Sequence, residues 1–98
     1  MRLHQGSCLC GGVRYQLDAP LTEIGLCHCS QCRKASGSAF ASNAPVPESA
    51  FRVIQGDNLL QAYESSPGKS RVFCQRCGSP IYSKSDKKPG VIRIRLGA

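Results

Sequence analysis

The chain has 98 residues, which is enough for one small domain and excludes a second hydrophobic core. It shows no apolar stretch long enough to span a membrane and no basic start followed by an apolar run, so we expect neither a membrane anchor nor a secretory signal. The formal net charge of +7 counts seven cysteines as neutral, and any ionisation of these thiols makes the chain less basic, so charge does not favour nucleic-acid binding.

The predicted elements, in chain order, are short strands separated by Gly, Pro, Ser and Asn. Strands are predicted at 13–17, 21–26 and 38–41, and turn residues at 43–47 are expected to end the third. A hairpin is predicted from 51–54 to 59–63, and further strands at 71–73, 81–83 and 91–96, with a loop at 84–88. The pattern indicates an all-β fold of small sheets.

Two further expectations concern side chains on these strands. In the last strand Arg93 and Arg95 alternate with apolar residues, which predicts that both lie on an exposed sheet face. Tyr15, Tyr63 and Tyr82 are expected in the core or half-buried at its edge. A single short helix is predicted over Ser30–Ser36, with Ser30 as its possible cap and Gly37 as its terminator.

The seven cysteines form three clusters, and these carry the chemistry. In a reducing cytoplasm, which is the compartment expected here, such clusters are metal ligands or catalytic groups more often than disulfides. Each cluster sits on a predicted turn, and Gly11, Gly12 and Gly78 follow where backbone freedom helps N–H groups point at sulfur. The clusters are Cys8-Leu9-Cys10, Cys27-His28-Cys29-Ser30-Gln31-Cys32 and Cys74-Gln75-Arg76-Cys77.

The clusters divide into two zinc sites. Joining the two pairs gives a closed four-thiolate site of Cys8, Cys10, Cys74 and Cys77, which suits a structural role. The remaining three, Cys27, Cys29 and Cys32, match the three protein ligands of a catalytic zinc with an exchangeable fourth position. A fourth ligand from His28, His4 or another side chain would instead make this site structural. Two zinc ions and seven thiolates lower the net charge to about +4.

The motifs Gly6-Ser7-Cys8-Leu9-Cys10-Gly11, CHCSQCRKASG over residues 27–37, and Phe73-Cys74-Gln75-Arg76-Cys77-Gly78-Ser79-Pro80 resemble the glutathione-dependent formaldehyde-activating enzyme family. The resemblance implies one zinc-binding domain over residues 1–98, built of small sheets around the two zinc sites in the same partition. It implies a carbon–sulfur lyase that joins glutathione and formaldehyde into S-hydroxymethylglutathione. Relatives usually continue through a C-terminal segment beyond the residues seen here.

We therefore expect a zinc-dependent lyase whose partners are a glutathione-like thiol and a small aldehyde. The catalytic zinc would ionise the thiol or polarise the aldehyde carbonyl. Arg33 and Lys34 directly follow Cys32 and are the candidates for binding the carboxylates of the thiol, with solvated surface charges as the alternative.

Two other functions are compatible with these residues. A non-catalytic zinc module for protein or nucleic-acid interaction requires both metals to be saturated and unaffected by thiols. A redox protein that uses Cys29 and Cys32 as a dithiol requires a metal-free cluster and leaves Cys27 without a role. The sequence makes no prediction about oligomeric state.

Overall fold

The computed structural model describes residues 4–21 and 23–98. It is mostly β, as predicted, and within the described residues it contains nine strands, one α-helix and two single-turn 3-10 helices. The strands are β1 His4–Ser7, β2 Arg14–Leu17, β3 Gly25–Cys27, β4 Ala41–Pro47, β5 Phe51–Gln55, β6 Leu60–Ser66, β7 Lys69–Cys74, β8 Pro80–Ser85 and β9 Val91–Arg95. The helix α1 is Ser30–Ser36, and the 3-10 turns are Glu48–Ala50 and Asp57–Leu59.

The strands form two antiparallel sheets. The small sheet has the order β1-β2-β5, and the large sheet has the order β3-β4-β9-β8-β7-β6. Neighbours in the large sheet therefore come from both halves of the chain. The turn after β7 lies beside the turn after β1, whose Leu9 N–H donates to the Ser79 hydroxyl. None of the described helices is long and apolar enough to cross a membrane.

The hydrophobic core lies between the two sheets. In β2 the alternation buries Tyr15 and Leu17, and in β9 it buries Ile92 and Ile94. The ring of Phe51 lies 5.1 Å from the ring of Tyr15 and 5.1 Å from that of Tyr82, and so connects the sheets. Tyr15 and Tyr82 match their prediction. The prediction for Tyr63 is wrong, since that side chain is 65% exposed on the edge strand β6.

The second and third strands differ from the prediction. The strand expected at 21–26 is observed as β3 at Gly25–Cys27, and Thr22 lies outside the described residues. The strand expected at 38–41 begins only at Ala41 and continues through 43–47, which was expected to be a turn. The pairing of β3 with β4 ends at Asn43. Beyond that point one side of β4 has no described neighbour, and Pro45 and Pro47 lie in this part of the strand. A proline, which lacks the backbone N–H, is tolerated there.

The hairpin predicted from 51–54 to 59–63 is also wrong. β5 pairs with β2 in the small sheet, whereas β6 pairs with β7 in the large sheet. The intervening residues change sheets through the 3-10 turn Asp57–Leu59 instead of reversing the chain. The turn residues were recognised correctly, but turn chemistry does not determine which sheet the next strand joins.

The large sheet presents a basic face on the side opposite the core residues of β9. The cross-strand register places Arg71, Ser83 and Arg93 in one row over β7, β8 and β9. Arg95 lies two residues along β9 and therefore on the same face. The prediction that Arg95 is exposed is wrong, because its side chain is 8% exposed and donates a hydrogen bond to the Asn43 amide oxygen on β4.

Candidate metal centres

The four-cysteine cluster forms where two turns meet. Cys8 and Cys10 lie in the turn after β1, and Cys74 and Cys77 lie at the end of β7 and in the turn before β8. The sulfurs of all four lie within 4.8 Å of one another, with Cys8 and Cys10 3.4 Å apart and Cys10 and Cys74 3.9 Å apart. Tetrahedral zinc with Zn–S bonds of about 2.3 Å requires sulfur separations of about 3.8 Å, so the cluster fits zinc.

Backbone and hydroxyl groups hold these turns in place. The Val13 N–H donates to the Cys8 sulfur at 3.2 Å, and the Leu9 N–H donates to the Ser79 hydroxyl at 2.9 Å, which ties the two turns together. Gly78 has a φ of 81°, and its N–H donates to the Cys74 carbonyl at 2.7 Å, so this turn needs the left-handed backbone that glycine allows. The cluster is therefore prearranged by the fold.

The surroundings favour the thiolate form at Cys10 and Cys77. The hydrogen bond from the Ser79 hydroxyl, together with backbone N–H groups, lowers the pKa of Cys77 to about 5. At Cys10 the Gly12 N–H and then the Arg76 guanidinium, whose Nε lies 3.3 Å from the sulfur, lower the thiol pKa. Burial raises the pKa of Cys74, which is consistent with a group that is ionised only when a cation binds it.

The three-cysteine cluster lies where β3 enters α1. Cys27 ends β3, Cys29 precedes the helix and Cys32 lies in its first turn. Their sulfurs lie within 4.8 Å of one another, with Cys27 and Cys29 3.5 Å apart. The predicted helix bounds are confirmed, and Gly37 terminates α1 with a φ of 67°. The predicted cap is displaced by one residue, because the Cys29 sulfur, not Ser30, accepts the N–H of Cys32 at 3.4 Å.

The cluster has one buried and one exposed end. Cys32 is 2% exposed, while Cys29 is exposed to solvent. The N–H of Cys32 is the main cause that lowers the pKa of Cys29 to about 7, and burial raises the pKa of Cys32. An open side at Cys29 gives a small molecule access to the cluster.

Within the described residues, no histidine or carboxylate joins either group of sulfurs. The ring of His28 lies 5.5 Å from the ring of Phe40, and His4 lies in β1 of the small sheet. All seven cysteines are free thiols with no disulfide among them. The donor set is thus four sulfurs at one centre and three at the other, which suits zinc at both.

A buried arginine that the sequence analysis did not single out contacts the three-cysteine cluster. The two terminal nitrogens of Arg71 lie 3.8 and 3.7 Å from the Cys32 sulfur, and its Nε donates to the Ser65 hydroxyl at 2.9 Å. Arg33 and Lys34 are instead exposed in the last turn of α1, and their role in substrate binding stays a prediction. The alternation of residues along a strand indicates on which face of the sheet Arg71 lies. It does not reveal which residues of the neighbouring strands lie beside it.

The chain is similar to known proteins over most of its length. The chain is 33% identical over 98 aligned residues to a Halomonas elongata protein named "Putative glutathione-dependent formaldehyde-activating enzyme", covering 92% of this chain and 61% of the relative. It is 28% identical over 79 residues to a Schizosaccharomyces pombe protein named as an uncharacterized lyase, covering 81% of this chain and 56% of the relative. The chain thus spans about three fifths of the length of these curated relatives.

A solved structure and a family profile complete the comparison. A crystal structure of a Rhodobacter sphaeroides protein superposes with a TM-score of 0.80 at 25% identity, over 96% of this chain and 85% of that one. The profile of the glutathione-dependent formaldehyde-activating enzyme family matches residues 3–98. With both cysteine clusters inside that match, the chain belongs to the glutathione-dependent formaldehyde-activating enzyme family.

Proposed function

We propose that the chain is a zinc-dependent carbon–sulfur lyase that acts on glutathione, or a related thiol, and a small aldehyde. The structural zinc would be held by Cys8, Cys10, Cys74 and Cys77, and the catalytic zinc by Cys27, Cys29 and Cys32. The proposal is supported by family membership and by the names of the two relatives, one as a formaldehyde-activating enzyme and the other as a lyase.

The observation that carries the proposal is the incomplete donor set of the second centre. Three sulfurs lie within 4.8 Å of one another, and no fourth side-chain ligand of the described residues joins them. Structural zinc sites are closed by four protein ligands, whereas catalytic sites keep a position for water or substrate. The exposure of Cys29 adds a route by which a substrate can reach that position.

The reaction is an addition without oxidation or reduction. A bond forms between the thiol sulfur and the carbonyl carbon, and the thiol proton ends on the carbonyl oxygen; the lyase direction reverses both changes. When bound, zinc supplies a Lewis-acid position that favours the ionised thiol or a polarised carbonyl at neutral pH. Bringing the two reactants together contributes a further rate gain.

The chain's own residues would keep the cluster in a reactive geometry. The Cys32 N–H holds the Cys29 sulfur against the start of α1, and Arg71 balances negative charge at the buried Cys32 sulfur. We also propose that the exposed Arg33 and Lys34 attract the carboxylates of the thiol substrate over a short distance.

The direct test is NMR exchange spectroscopy on the zinc-loaded protein with glutathione and ¹³C-formaldehyde. We expect exchange between free and thiol-bound formaldehyde to exceed the spontaneous rate. The Cys29→Ser variant should lose this gain, whereas Ser30→Ala, a matched change at the next residue, should keep it. Exchange at the spontaneous rate with glutathione and other small thiols, while both zinc ions stay bound, would favour the non-catalytic zinc module.

A further inference from the structure

A second binding feature lies beside the three-cysteine cluster, in a cavity of about 340 Å³ between α1 and the β6–β8 part of the large sheet. Its walls include Ala35 of α1, Tyr63 of β6 and Phe73 of β7, together with the side chains of Arg71 and Arg95. Both arginines are 8% exposed. Two buried guanidiniums in an otherwise apolar pocket are unusual, because burying a charge is costly unless an opposite charge accompanies it.

Neither arginine has a carboxylate partner in the described part of the chain. Arg52 of the small sheet forms an ion pair with Asp18. The polar partners of Arg71 and Arg95 are instead a serine hydroxyl, an amide oxygen and the Cys32 sulfur. Burial lowers the pKa of Arg95, and repulsion from Arg71 lowers it further. Attraction from ionised Cys32 and Cys27 of the three-cysteine cluster acts in the opposite direction and raises the pKa of Arg95.

The charges of this region leave room for an anion. Before a substrate thiolate joins it, zinc held by three thiolates leaves one uncompensated negative charge, and the two guanidiniums together carry one positive charge more than is needed to balance it. A carboxylate restores the balance, and a guanidinium binds one through two parallel hydrogen bonds. The burial of both arginine side chains strengthens this attraction, because the local dielectric is lower there than in bulk water.

We infer that the cavity between Arg71 and Arg95 is a carboxylate-binding subsite for the thiol substrate. Arg71 contacts the Cys32 sulfur and also lines the cavity, so a ligand carboxylate held there lies next to the reacting centre. This inference rests on the proposed function for the identity of the ligand, but the binding of a carboxylate there is independent of turnover. It places substrate recognition on the strands and not only on the exposed Arg33 and Lys34.

The test uses S-methylglutathione, whose sulfur is blocked, and its dimethyl ester, titrated into the zinc-loaded protein by calorimetry. We expect the diacid to bind, and the diester to bind about tenfold or more weakly, because the ester cannot form the charged hydrogen bonds. Arg95→Gln should weaken binding of the diacid to a similar extent. The control is Arg93→Gln, which removes the same charge two residues away on β9 from a side chain outside this cavity.

Two further measurements distinguish a loss of carboxylate binding from a loss of zinc or of the fold. Zinc per chain is determined for each variant, and in the wild-type protein the Nε–H resonances of Arg71 and Arg95 should shift on adding the diacid. Equal binding of diacid and diester, equal loss in Arg93→Gln and Arg95→Gln, or unmoved arginine resonances would each overturn the subsite. If the diacid binds there but formaldehyde exchange stays at the spontaneous rate, the subsite stands and the proposed lyase function fails.

Discussion

At the scale of single residues, burial separates cysteines that look equivalent in the sequence. Cys74 is 0% exposed and belongs to the hydrophobic core, whereas Cys29 lies at the surface. Loss of the Cys74 thiol would remove core packing and, on the proposed assignment, a ligand of the metal that joins two distant turns. Loss of the Cys29 thiol would affect a cluster that is formed within six neighbouring residues.

We therefore predict opposite outcomes for two serine substitutions. Cys29→Ser should lower zinc content from about two to about one per chain and leave the unfolding temperature nearly unchanged. Cys74→Ser should leave the protein largely unfolded, since metal binding at that centre contributes directly to folding. Metal analysis and thermal unfolding monitored by circular dichroism measure both. Equal stability of the two variants would contradict the assignment of a structural and a catalytic centre.

Gly56 precedes the 3-10 turn that leads from one sheet to the other. Its φ is 82°, and a Cβ there would lie 2.1 Å from the Gly12 carbonyl oxygen. Gly90 has a φ of 81°, but its Cβ would meet nothing within 4 Å. Alanine substitutions at Gly90 and Gly56 therefore separate the free-energy cost of a positive φ from the additional cost of a clash between the new Cβ and the backbone.

Gly90→Ala should lower the free energy of unfolding by about 1 kcal/mol, and Gly56→Ala by about 3 kcal/mol or more, because only the second displaces backbone. Urea unfolding of the zinc-loaded variants measures the difference. If both substitutions cost the same, the close approach of Gly56 to the β1–β2 connection is absent in solution.

At the scale of elements, α1 shows how a metal ligand can also serve as a helix cap. The sequence favoured Ser30 at this position because serine is a common cap, and thiols are not expected to compete. The N–H of Cys32 nevertheless points to the Cys29 sulfur. A hydrogen bond of this kind both completes the first helical turn and stabilises a thiolate.

From this arrangement we predict that Ser30→Ala changes the free energy of unfolding by less than about 0.5 kcal/mol and leaves zinc content unchanged. A serine that capped the helix would cost about 1 kcal/mol on removal. Chemical unfolding with parallel metal analysis distinguishes the two values. A loss of the larger size would mean that Ser30 caps α1 after all.

Other elements show where the sequence was informative and where it was not. Strong alternation located β2 and β9, and the Gly37 terminator located the end of α1, because these signals are local. The turn-forming residues at 43–47 led to a wrong prediction for β4, which continues through them. Pro45 is tolerated in this strand because the pairing with β3 ends at Asn43, and the sequence does not show where that pairing ends. The sheet change after β5 likewise depends on long-range pairing.

At the scale of the whole molecule, cysteine spacing predicted which sulfurs come together, and both groups appear as expected. The arginines beside them were not found, because Arg71 and Arg95 meet across three strands whose register the sequence does not reveal. The four-cysteine centre joins positions 64 residues apart, from Cys10 to Cys74. A metal bound there would therefore close most of the chain into one loop.

If zinc closes this loop, the two proposed metals are unequal in their effect on the fold. We expect a mild chelator to remove zinc first from the three-cysteine centre, which has one protein ligand fewer, with the β-sheet signal retained. A strong chelator should then remove the second zinc with loss of that signal. Metal release followed together with far-ultraviolet circular dichroism tests the order. Simultaneous loss of both metals and of the fold would contradict two independent centres.

X-ray absorption at the zinc edge shows whether the zinc proposed at Cys27, Cys29 and Cys32 keeps a position for a thiol. We expect about 3.5 sulfurs per zinc in the loaded protein, the average of a four-sulfur and a three-sulfur centre, and about 4 after glutathione is added. Four sulfurs per zinc before addition, or about 3.5 that does not change at saturating thiol, would contradict it.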